Sequence, residues 1–182
     1  MGFERTQSGR IVLRLDGVER SILISLAQQV RDLVAPAALS ASRDPLEALV
    51  GIDPQARRPA DPVLARLLPD AYREDEEAAA DFRRFTERSL RETKVAHAMA
   101  VLDHLERSGD KVVLSIEESA SWLGFLNDAR LALGTRIAVT EENHEELASL
   151  PQDDPRSASF HVYSWLTYLQ DSLIGALWEE PA

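Results

Sequence analysis

The sequence contains no cysteine. Without cysteine, the chain forms no disulfide, has no thiolate nucleophile, and cannot bind zinc or sense oxidants through a thiol. It also has no apolar run of the roughly 18 residues that a transmembrane helix needs. Its first residues, Met-Gly-Phe-Glu-Arg, lack the apolar segment of a signal peptide. We therefore expect a cytoplasmic protein with no membrane partner and no thiol chemistry.

Motifs that bind phosphate or metal are also missing or sparse. Neither G-x-G-x-x-G nor G-x-x-x-x-G-K-[ST] occurs, which excludes these glycine-rich nucleotide-binding loops. His97 and His104 are seven positions apart on a predicted helix, whereas ligands on neighbouring turns of a helix are about four apart. We expect no metal site, no cofactor and no catalytic residue.

The composition that remains is that of a globular protein. Hydrophobic residues make up 45% of the 182 positions and charged residues 28%. A chain of this length and composition buries a core without disulfides or metals. We predict one domain that spans residues 1–182.

The charge is acidic and unevenly distributed. The formal net charge is -11, which repels polyanions such as nucleic acid at long range. From Arg57 to Lys94, however, nine Arg or Lys balance nine Asp or Glu, so the rest of the chain carries the whole -11. Acidic residues are densest in the run EENHEEL, Glu141–Leu147, and at Asp153 and Asp154.

Residues 1–16 have the pattern of a β-hairpin. Alternating residues from Arg10 to Leu15 follow a turn at Gln7–Gly9, and a short partner strand precedes the turn near Phe3–Thr6. Because side chains alternate along a strand, we expect Val12 on the side opposite to the core.

The next region predicts helices separated by prolines. Asp16 caps the first helix, which ends at Pro36. Its apolar positions follow the helical period: Ile22, Leu23, Leu26, Val30, Leu33 and Val34. Because six of the nine prolines lie from Pro36 to Pro69, only a short helix, Pro45–Val50, is allowed there. A two-turn helix then begins after Asp61, ends at Pro69 and has one apolar stripe: Val63, Leu64, Leu67 and Leu68.

The longest region without proline predicts a helix from about Glu76 to Arg107. Its apolar face changes side along the helix. Phe82, Phe85 and Leu90 lie on one flank, and a later set lies nearly opposite: Val95, Ala98, Met99, Leu102 and Leu105. The helix therefore either packs on both flanks or kinks near Arg91–Lys94.

The last third of the chain predicts one strand and two helices. Lys111–Ile116 is a short buried strand that pairs with the hairpin, and Ser115 with Glu118 forms a capping box for the next helix. The inner face of that helix contains Trp122, Phe125, Leu126, Ala129 and Leu133, and the helix ends between Gly134 and Val139. An acidic loop to Pro155 leads to a last helix, Ser159–Trp178. The predicted fold is mainly α, a single-domain helical bundle with a small antiparallel sheet made of the hairpin and the central strand.

Arginines form the candidate binding surface. Arg84, Arg88 and Arg91 fall at i, i+4 and i+7 on the long helix, and Arg57 with Arg58 opens the segment before it. Arginine is a forked donor that suits carboxylates and phosphates. One interpretation is a docking surface for an acidic protein. The other is a solvated helix face that nearby Glu residues neutralise. Direct DNA binding is not expected, because the stripe has acidic neighbours.

Polar residues on two later helices keep an enzymatic alternative open. Asn127 and Asp128 lie between apolar turns and favour a buried hydrogen-bond or ion-pair network. A pocket that combined them with His161 would instead favour a small-molecule-binding protein or a hydrolase of unknown substrate.

Three sequence blocks carry a resemblance to a known family. They are RRPADPVLARLLPDAY at Arg57–Tyr72, WLGFLNDARLALGTRI at Trp122–Ile137, and VYSWLTYLQDSLIGAL at Val162–Leu177. Together they resemble an actinobacterial family known as domain of unknown function two-zero-one-seven. The resemblance implies an oxidative-stress transcriptional regulator without established catalytic residues. Together with the neutral segment and the arginine spacing, it leads us to expect an acidic protein partner such as a sigma factor or RNA polymerase. Since this chain has no thiol, we expect it to act through protein contacts.

Overall fold

The computed structural model describes residues 2–35, 57–72 and 74–179. Over these residues it has six helices and a three-stranded antiparallel sheet, which confirms the predicted mainly α class. The strands are β1 (Phe3–Arg5), β2 (Ile11–Arg14) and β3 (Lys111–Leu114). The helices are α1 (Gly17–Val34), α2 (Pro62–Leu67), α3 (Glu76–Arg107), α4 (Ile116–Arg136), α5 (His144–Ala148) and α6 (Pro155–Trp178). The predicted short helix Pro45–Val50 lies outside the described residues.

The sheet has the order β1-β2-β3, so β2 from the predicted hairpin is central. Gly9 closes the hairpin turn with a φ of 76°, a left-handed conformation that glycine adopts without strain. Val12 is buried, contrary to the expectation from alternation. Val12 lies in the central strand, where it pairs with Glu4 of β1 on one side and with Val113 of β3 on the other.

Helix α1 begins at the predicted cap, Asp16. Glu19 returns a hydrogen bond to the backbone of Asp16, and the two residues form a capping box. Its buried face is rotated from the predicted one. The fully buried residues are Leu23, Ala27, Val30 and Val34. Ile22 and Leu26, which were expected in the core, are only partly buried, although Leu26 packs against the edge of the main core.

Helix α2 follows the predicted signal closely. Asp61 accepts hydrogen bonds from the backbone N–H groups of Val63 and Leu64, at 2.7 and 3.0 Å. Val63, Leu67 and Leu68 are buried, and Leu64 is partly buried against them, as expected for the predicted apolar stripe. They pack in a small second core with Val34 of α1.

Helix α3 has the predicted bounds and is continuous. Its second half packs in the core through Ala98, Val101, Leu102 and Leu105. The expectation that its first flank also packs is wrong, because Phe82, Phe85 and Leu90 are exposed.

The last third of the chain differs from the prediction at its boundaries. Strand β3 ends at Leu114, because Ser115 is already the cap of α4. Helix α6 begins at Pro155 instead of Ser159, since Asp154 caps it and Pro155 occupies its first position. The expected acidic loop contains the five-residue helix α5.

At the interface between α3 and α4, several polar contacts lie next to the large apolar core. Trp122 is fully buried, and its Nε1–H donates to His104 Nδ1 at 3.1 Å. Lys94 Nζ lies 2.6 Å from Asp128 Oδ1. These contacts confirm the predicted polar network in the interior of α4.

Candidate partner-binding surface

A buried arginine links α2 to the first half of α3. The side chain of Arg83 is only 6% exposed. Its guanidinium lies 2.6 Å from Asp70 and 2.5 Å from Glu87, and it donates to the backbone carbonyl of Leu68 at 3.0 Å. Burial by itself would lower the pKa of Arg83, but the hydrogen bonds to the two carboxylates outweigh it and raise that pKa. The guanidinium therefore remains charged and fixes α2 against α3.

Two of the predicted site arginines extend this network. Arg58 Nε lies 3.5 Å from the second oxygen of Asp70, and Arg91 Nη2 lies 2.8 Å from Glu87. Arg91 also donates to the backbone carbonyl of Val34 at 3.4 Å, and its side chain is mostly buried. Arg91 therefore connects α3 to the end of α1 and offers little of its charge to a partner.

Of the other predicted arginines, Arg57 and Arg84 are exposed, whereas Arg88 is half-buried and its Nη1 is buried with no hydrogen-bond partner among the described residues. Arg84 pairs with Asp81 at 3.0 Å, and Arg88 pairs with Glu92 at 2.8 Å, both within α3. Arg57 is exposed and forms no ion pair within the described part of the chain. The arginines thus do not form one uniform basic surface. Arg84 is exposed and Arg88 half-buried, and both pair within α3, whereas Arg91 is mostly buried and Arg58 is exposed although it pairs with Asp70.

Large apolar side chains are exposed on the same stretch of α3. Phe85 is 63% exposed, and Phe82 and Leu90 of the same helix are exposed as well. The rings of Phe82 and Tyr72 contact edge to face, with centroids 6.1 Å apart. A groove of about 460 Å³ runs between these side chains and the end of α2, with Asp70, Arg83 and Glu87 in its lining.

We call this region the α3 surface and define it by six side chains, all exposed except the half-buried Arg88: Tyr72, Phe82, Arg84, Phe85, Arg88 and Leu90. Phe85 is three residues from Arg88, a spacing that places the two side chains next to each other on a helix. The surface combines aromatic and arginine side chains, the types that are enriched at protein interfaces.

Arg83 and Asp70 lie at the centre of this region, and neither was predicted from the sequence. A signal was present, because Arg83, Glu87 and Arg91 recur every four residues, as charged pairs on one helix face do. This spacing does not predict that the three side chains are buried, because it is also typical of solvent-exposed helix faces.

The residues of the enzymatic alternative do not come together in a pocket. Asp128 is buried against Lys94, while His161 is exposed on α6. Neither these two nor Asn127 line the large cavities formed by described residues. Burial raises the pKa of Asp128, and the ion pair with Lys94 opposes that shift. The arrangement is that of an interior ion pair.

The residues that the structure describes contain neither a group suited to a metal ion nor a helix suited to a membrane span. No three His, Asp or Glu side chains of that part of the chain are grouped so that they could hold a metal ion. None of the helices described there is long and apolar enough to cross a membrane.

Similarity to known proteins identifies the family of this chain. A family model described as Domain of unknown function (DUF2017) matches residues 1–177. The chain belongs to the DUF2017 family. The resemblance seen in the three sequence blocks is therefore confirmed, and the match includes α2, α3 and the whole α3 surface.

Similar DUF2017 proteins occur in mycobacteria. The Oxidative stress regulator AosR of Mycobacterium tuberculosis (strain ATCC 25618 / H37Rv) is 34% identical over 170 residues, which cover 86% of this chain and 77% of that protein. The protein of the same name from Mycobacterium bovis has the same values. A relative from Mycobacterium leprae is 36% identical over 152 residues, which cover 76% of this chain and 69% of the relative. No solved structure matches this DUF2017 chain.

Proposed function

We propose that this chain is a cytoplasmic, non-enzymatic regulator of the oxidative-stress response, and that it acts by binding another protein through the α3 surface. The observation that carries the proposal is the exposure of Phe82, Phe85 and Leu90 on one flank of a helix. Exposed large apolar groups beside arginines are typical of protein-binding sites. The names of the mycobacterial relatives support the regulatory part of the proposal.

The partner that suits this surface is an acidic protein, such as a sigma factor or another component of RNA polymerase. Arg84 and Arg88 are held only by exposed carboxylates of their own helix. Such pairs are weak, so these arginines can exchange Asp81 and Glu92 for carboxylates of a partner at little cost in free energy. A duplex of nucleic acid suits the surface less well, because a chain of net charge -11 repels a long polyanion more strongly than a local acidic patch.

The stress signal would reach this protein through its partner or through its own synthesis. The chain has no cysteine, so an oxidant cannot switch it by forming a disulfide. In this proposal the redox-sensitive step lies elsewhere, and the chain supplies the contact that changes transcription.

The experiment is a binding assay between the purified chain and the RNA polymerase and sigma factors of its host. The test variant is Arg84→Glu with Arg88→Glu. The control is Arg107→Glu on the same helix, because Arg107 is exposed and pairs with Asp103 at 2.6 Å, four residues away. We expect the control to bind like the unchanged chain and the test variant to lose binding, while both keep the same circular dichroism spectrum.

Two results would contradict the proposal. Unchanged binding by a folded Arg84→Glu, Arg88→Glu variant would remove the α3 surface from the interaction. Tight, sequence-specific binding of DNA by the unmodified chain, in the absence of other proteins, would replace protein contact with direct DNA recognition.

A further inference from the structure

The first half of α3 has an uncharged face that the described residues leave open. Six of its positions follow the spacing i, i+3, i+4, i+7, i+8 and i+11: Phe82, Phe85, Thr86, Ser89, Leu90 and Thr93. All six line the groove beside the end of α2, and every one except the partly buried Thr86 is exposed. We call them the outer stripe. This spacing is the one by which an amphipathic helix packs against another helix.

The charges in the lining of this groove balance one another. They belong to Asp70, Arg83 and Glu87, and the guanidinium of Arg83 lies 2.6 Å from Asp70 and 2.5 Å from Glu87. The groove therefore holds no unpaired charge that an acidic or a basic occupant would neutralise. Since a charged side chain loses hydration when it is buried without a partner, the groove selects an occupant whose contacting face is uncharged and apolar.

The outer stripe of a second copy of this chain is such a face. Two copies have a net charge of -11 each, so they repel one another as whole molecules. The stretch of α3 that carries the stripe is itself neutral, because residues 76–94 contain five Asp or Glu and five Lys or Arg. Two copies of this helix therefore lie side by side without net repulsion between them, and each supplies the uncharged face that the groove of the other requires.

The positions of the stripe complement one another in an antiparallel pair. With a two-fold axis between positions 86 and 89, Phe85 of each copy lies level with Leu90 of the other, since in such an interface residue i meets residue j and j meets i. In a parallel pair each residue would lie level with its own copy. Arg88 would then flank Arg88 of the second copy, and like charges beside a helix pair disfavour that orientation. The antiparallel pair is therefore the one that fits.

Aromatic side chains give the stripe most of its apolar surface. Phe85 is 63% exposed, and the exposed ring of Phe82 contacts Tyr72 edge to face, with centroids 6.1 Å apart. In the antiparallel pair these rings and Leu90 of both copies form one apolar patch across the two-fold axis. Buried aromatic side chains dominate the energetics of protein interfaces, so this patch is where the pair gains its affinity.

We propose that the outer stripe is a self-association site, on which a second copy of this chain packs its own α3 in antiparallel orientation. The dimer covers Phe82, Phe85 and Leu90, which also belong to the α3 surface. The dimer is therefore closed to the partner protein, and the monomer is the form that binds it. This last consequence rests on the proposed function, whereas the dimer itself does not.

Sedimentation equilibrium of the full chain tests the dimer. We expect the unchanged chain to be dimeric at about 100 μM and to dissociate on dilution, as a pair with a micromolar Kd does. Phe85→Glu places a carboxylate in the apolar patch twice per dimer and should raise the dissociation constant by at least about tenfold. Leu90→Glu, on the opposite side of the axis, should act in the same way.

Val18→Glu is the matched control for these variants. Val18 is 69% exposed, close to the 63% of Phe85, but it lies on α1. This variant should dimerise like the unchanged chain. Because Val18, Phe85 and Leu90 are all exposed, the three variants should keep the circular dichroism spectrum of the unchanged chain, which separates loss of the dimer from loss of the fold.

Introduced thiols test the orientation, because the chain has no cysteine of its own. A disulfide forms only between residues whose Cα atoms come within roughly 7 Å. In the antiparallel dimer position 86 of one copy is level with position 89 of the other, so a mixture of Thr86→Cys and Ser89→Cys copies should cross-link in air faster than either variant alone. Ser25→Cys, at an exposed position of α1, should form no cross-link at the same rate.

The cross-linked dimer also tests the regulatory consequence. It should no longer bind the component of RNA polymerase that the unchanged chain binds, and reduction of the disulfide should restore binding. Undiminished binding by the cross-linked dimer would contradict the competition between copy and partner. If the unchanged chain binds no such component, the proposed function fails, while sedimentation and cross-linking still decide whether the dimer exists.

Three results would overturn the self-association site. One is a monomeric unchanged chain at about 100 μM, which corresponds to an affinity too weak to matter. Another is a dimer that Phe85→Glu and Leu90→Glu both leave intact, which would place the contact on a different face. The third is faster cross-linking by Thr86→Cys alone than by the mixture, which would show that the helices do not pair in antiparallel orientation.

Discussion

Arg83 holds together the part of the molecule that carries the α3 surface. It is buried between two carboxylates, and those carboxylates are in turn paired with Arg58 and Arg91. A buried charge that keeps its partners is stable, whereas one whose partner is removed becomes costly. The neighbouring Arg84 has the same chemistry but lies in solvent, so the two residues form a natural comparison.

We predict that Arg83→Met lowers the free energy of unfolding by about 2–3 kcal/mol, because it leaves Asp70 and Glu87 partly buried with one cation fewer. Arg84→Met should cost less than about 0.5 kcal/mol, as expected for an exposed pair. Urea denaturation of both variants measures the difference. Equal losses would show that the burial of Arg83 does not matter to stability.

The ion pair of Lys94 and Asp128 sets a pH dependence. Burial raises the pKa of Asp128 above its ordinary value, so between the two values the folded state binds more protons than the unfolded state. Stability therefore falls as the pH rises through this window. Lys94 opposes the effect by stabilising the ionised carboxylate.

Removal of Lys94 should enlarge that pH dependence. We predict that Lys94→Met costs about 3 kcal/mol at pH 7, because it leaves a buried carboxylate without its partner. The loss should be smaller at pH 5 than at pH 7, because protonation of Asp128 removes the buried charge that has lost its partner. The double variant Lys94→Met, Asp128→Asn lacks the carboxyl group and serves as the control in urea denaturation at both pH values. A loss of the same size at pH 5 and pH 7 would contradict the assignment.

At the scale of elements, α3 and α4 approach each other closely at Gly124 of α4. A Cβ atom placed on Gly124 would lie 2.2 Å from His97 Nδ1. The imidazole ring of His97 therefore occupies the space in which a side chain would otherwise stand, and the two helices approach at this point.

We predict that Gly124→Ala destabilises the protein by about 1–3 kcal/mol, the usual cost of overpacking, although alanine is the better helix former. In the background of His97→Ala, the same substitution should cost less than about 0.5 kcal/mol, because the clash is gone. A double-mutant cycle from thermal or urea unfolding gives the coupling energy. A coupling energy near zero would show that His97 moves away freely.

The elements show where sequence reasoning succeeds and where it fails. Asp61 with Pro62 correctly marked the start of α2, and Asp154 with Pro155 marks the start of α6 by the same chemistry, although the acidic surroundings concealed it. Helix α5 was missed because five residues rich in glutamate have no apolar period to detect.

Burial was harder to predict than the elements themselves. The bounds of α3 followed from its composition, but the solvent exposure of Phe85 and the burial of Arg83 depend on which neighbours α2 and α1 provide. Periodicity shows which residues share a helix face. It does not show which of two faces meets the core, and for that reason the candidate site was only partly predictable.

On the scale of the whole molecule, charged residues are distributed unevenly along the chain. The segment from Arg57 to Lys94 is neutral and its described charges are largely paired, whereas the connection between α4 and α6 is acidic and mostly unpaired. Family membership and the names of relatives point to regulation. The exposed aromatic side chains of α3 are the structural feature on which the proposed protein contact rests.

The most direct test of the central claim is a transcript measurement in the host after exposure to peroxide. A strain that lacks this protein is complemented with the unchanged chain, with Arg84→Glu and Arg88→Glu, or with Arg107→Glu. The account predicts that the unchanged chain and Arg107→Glu restore the transcriptional response, and that the double variant, present at the same cellular level, does not. Full restoration by the double variant would contradict the claim that this protein regulates transcription through its α3 surface.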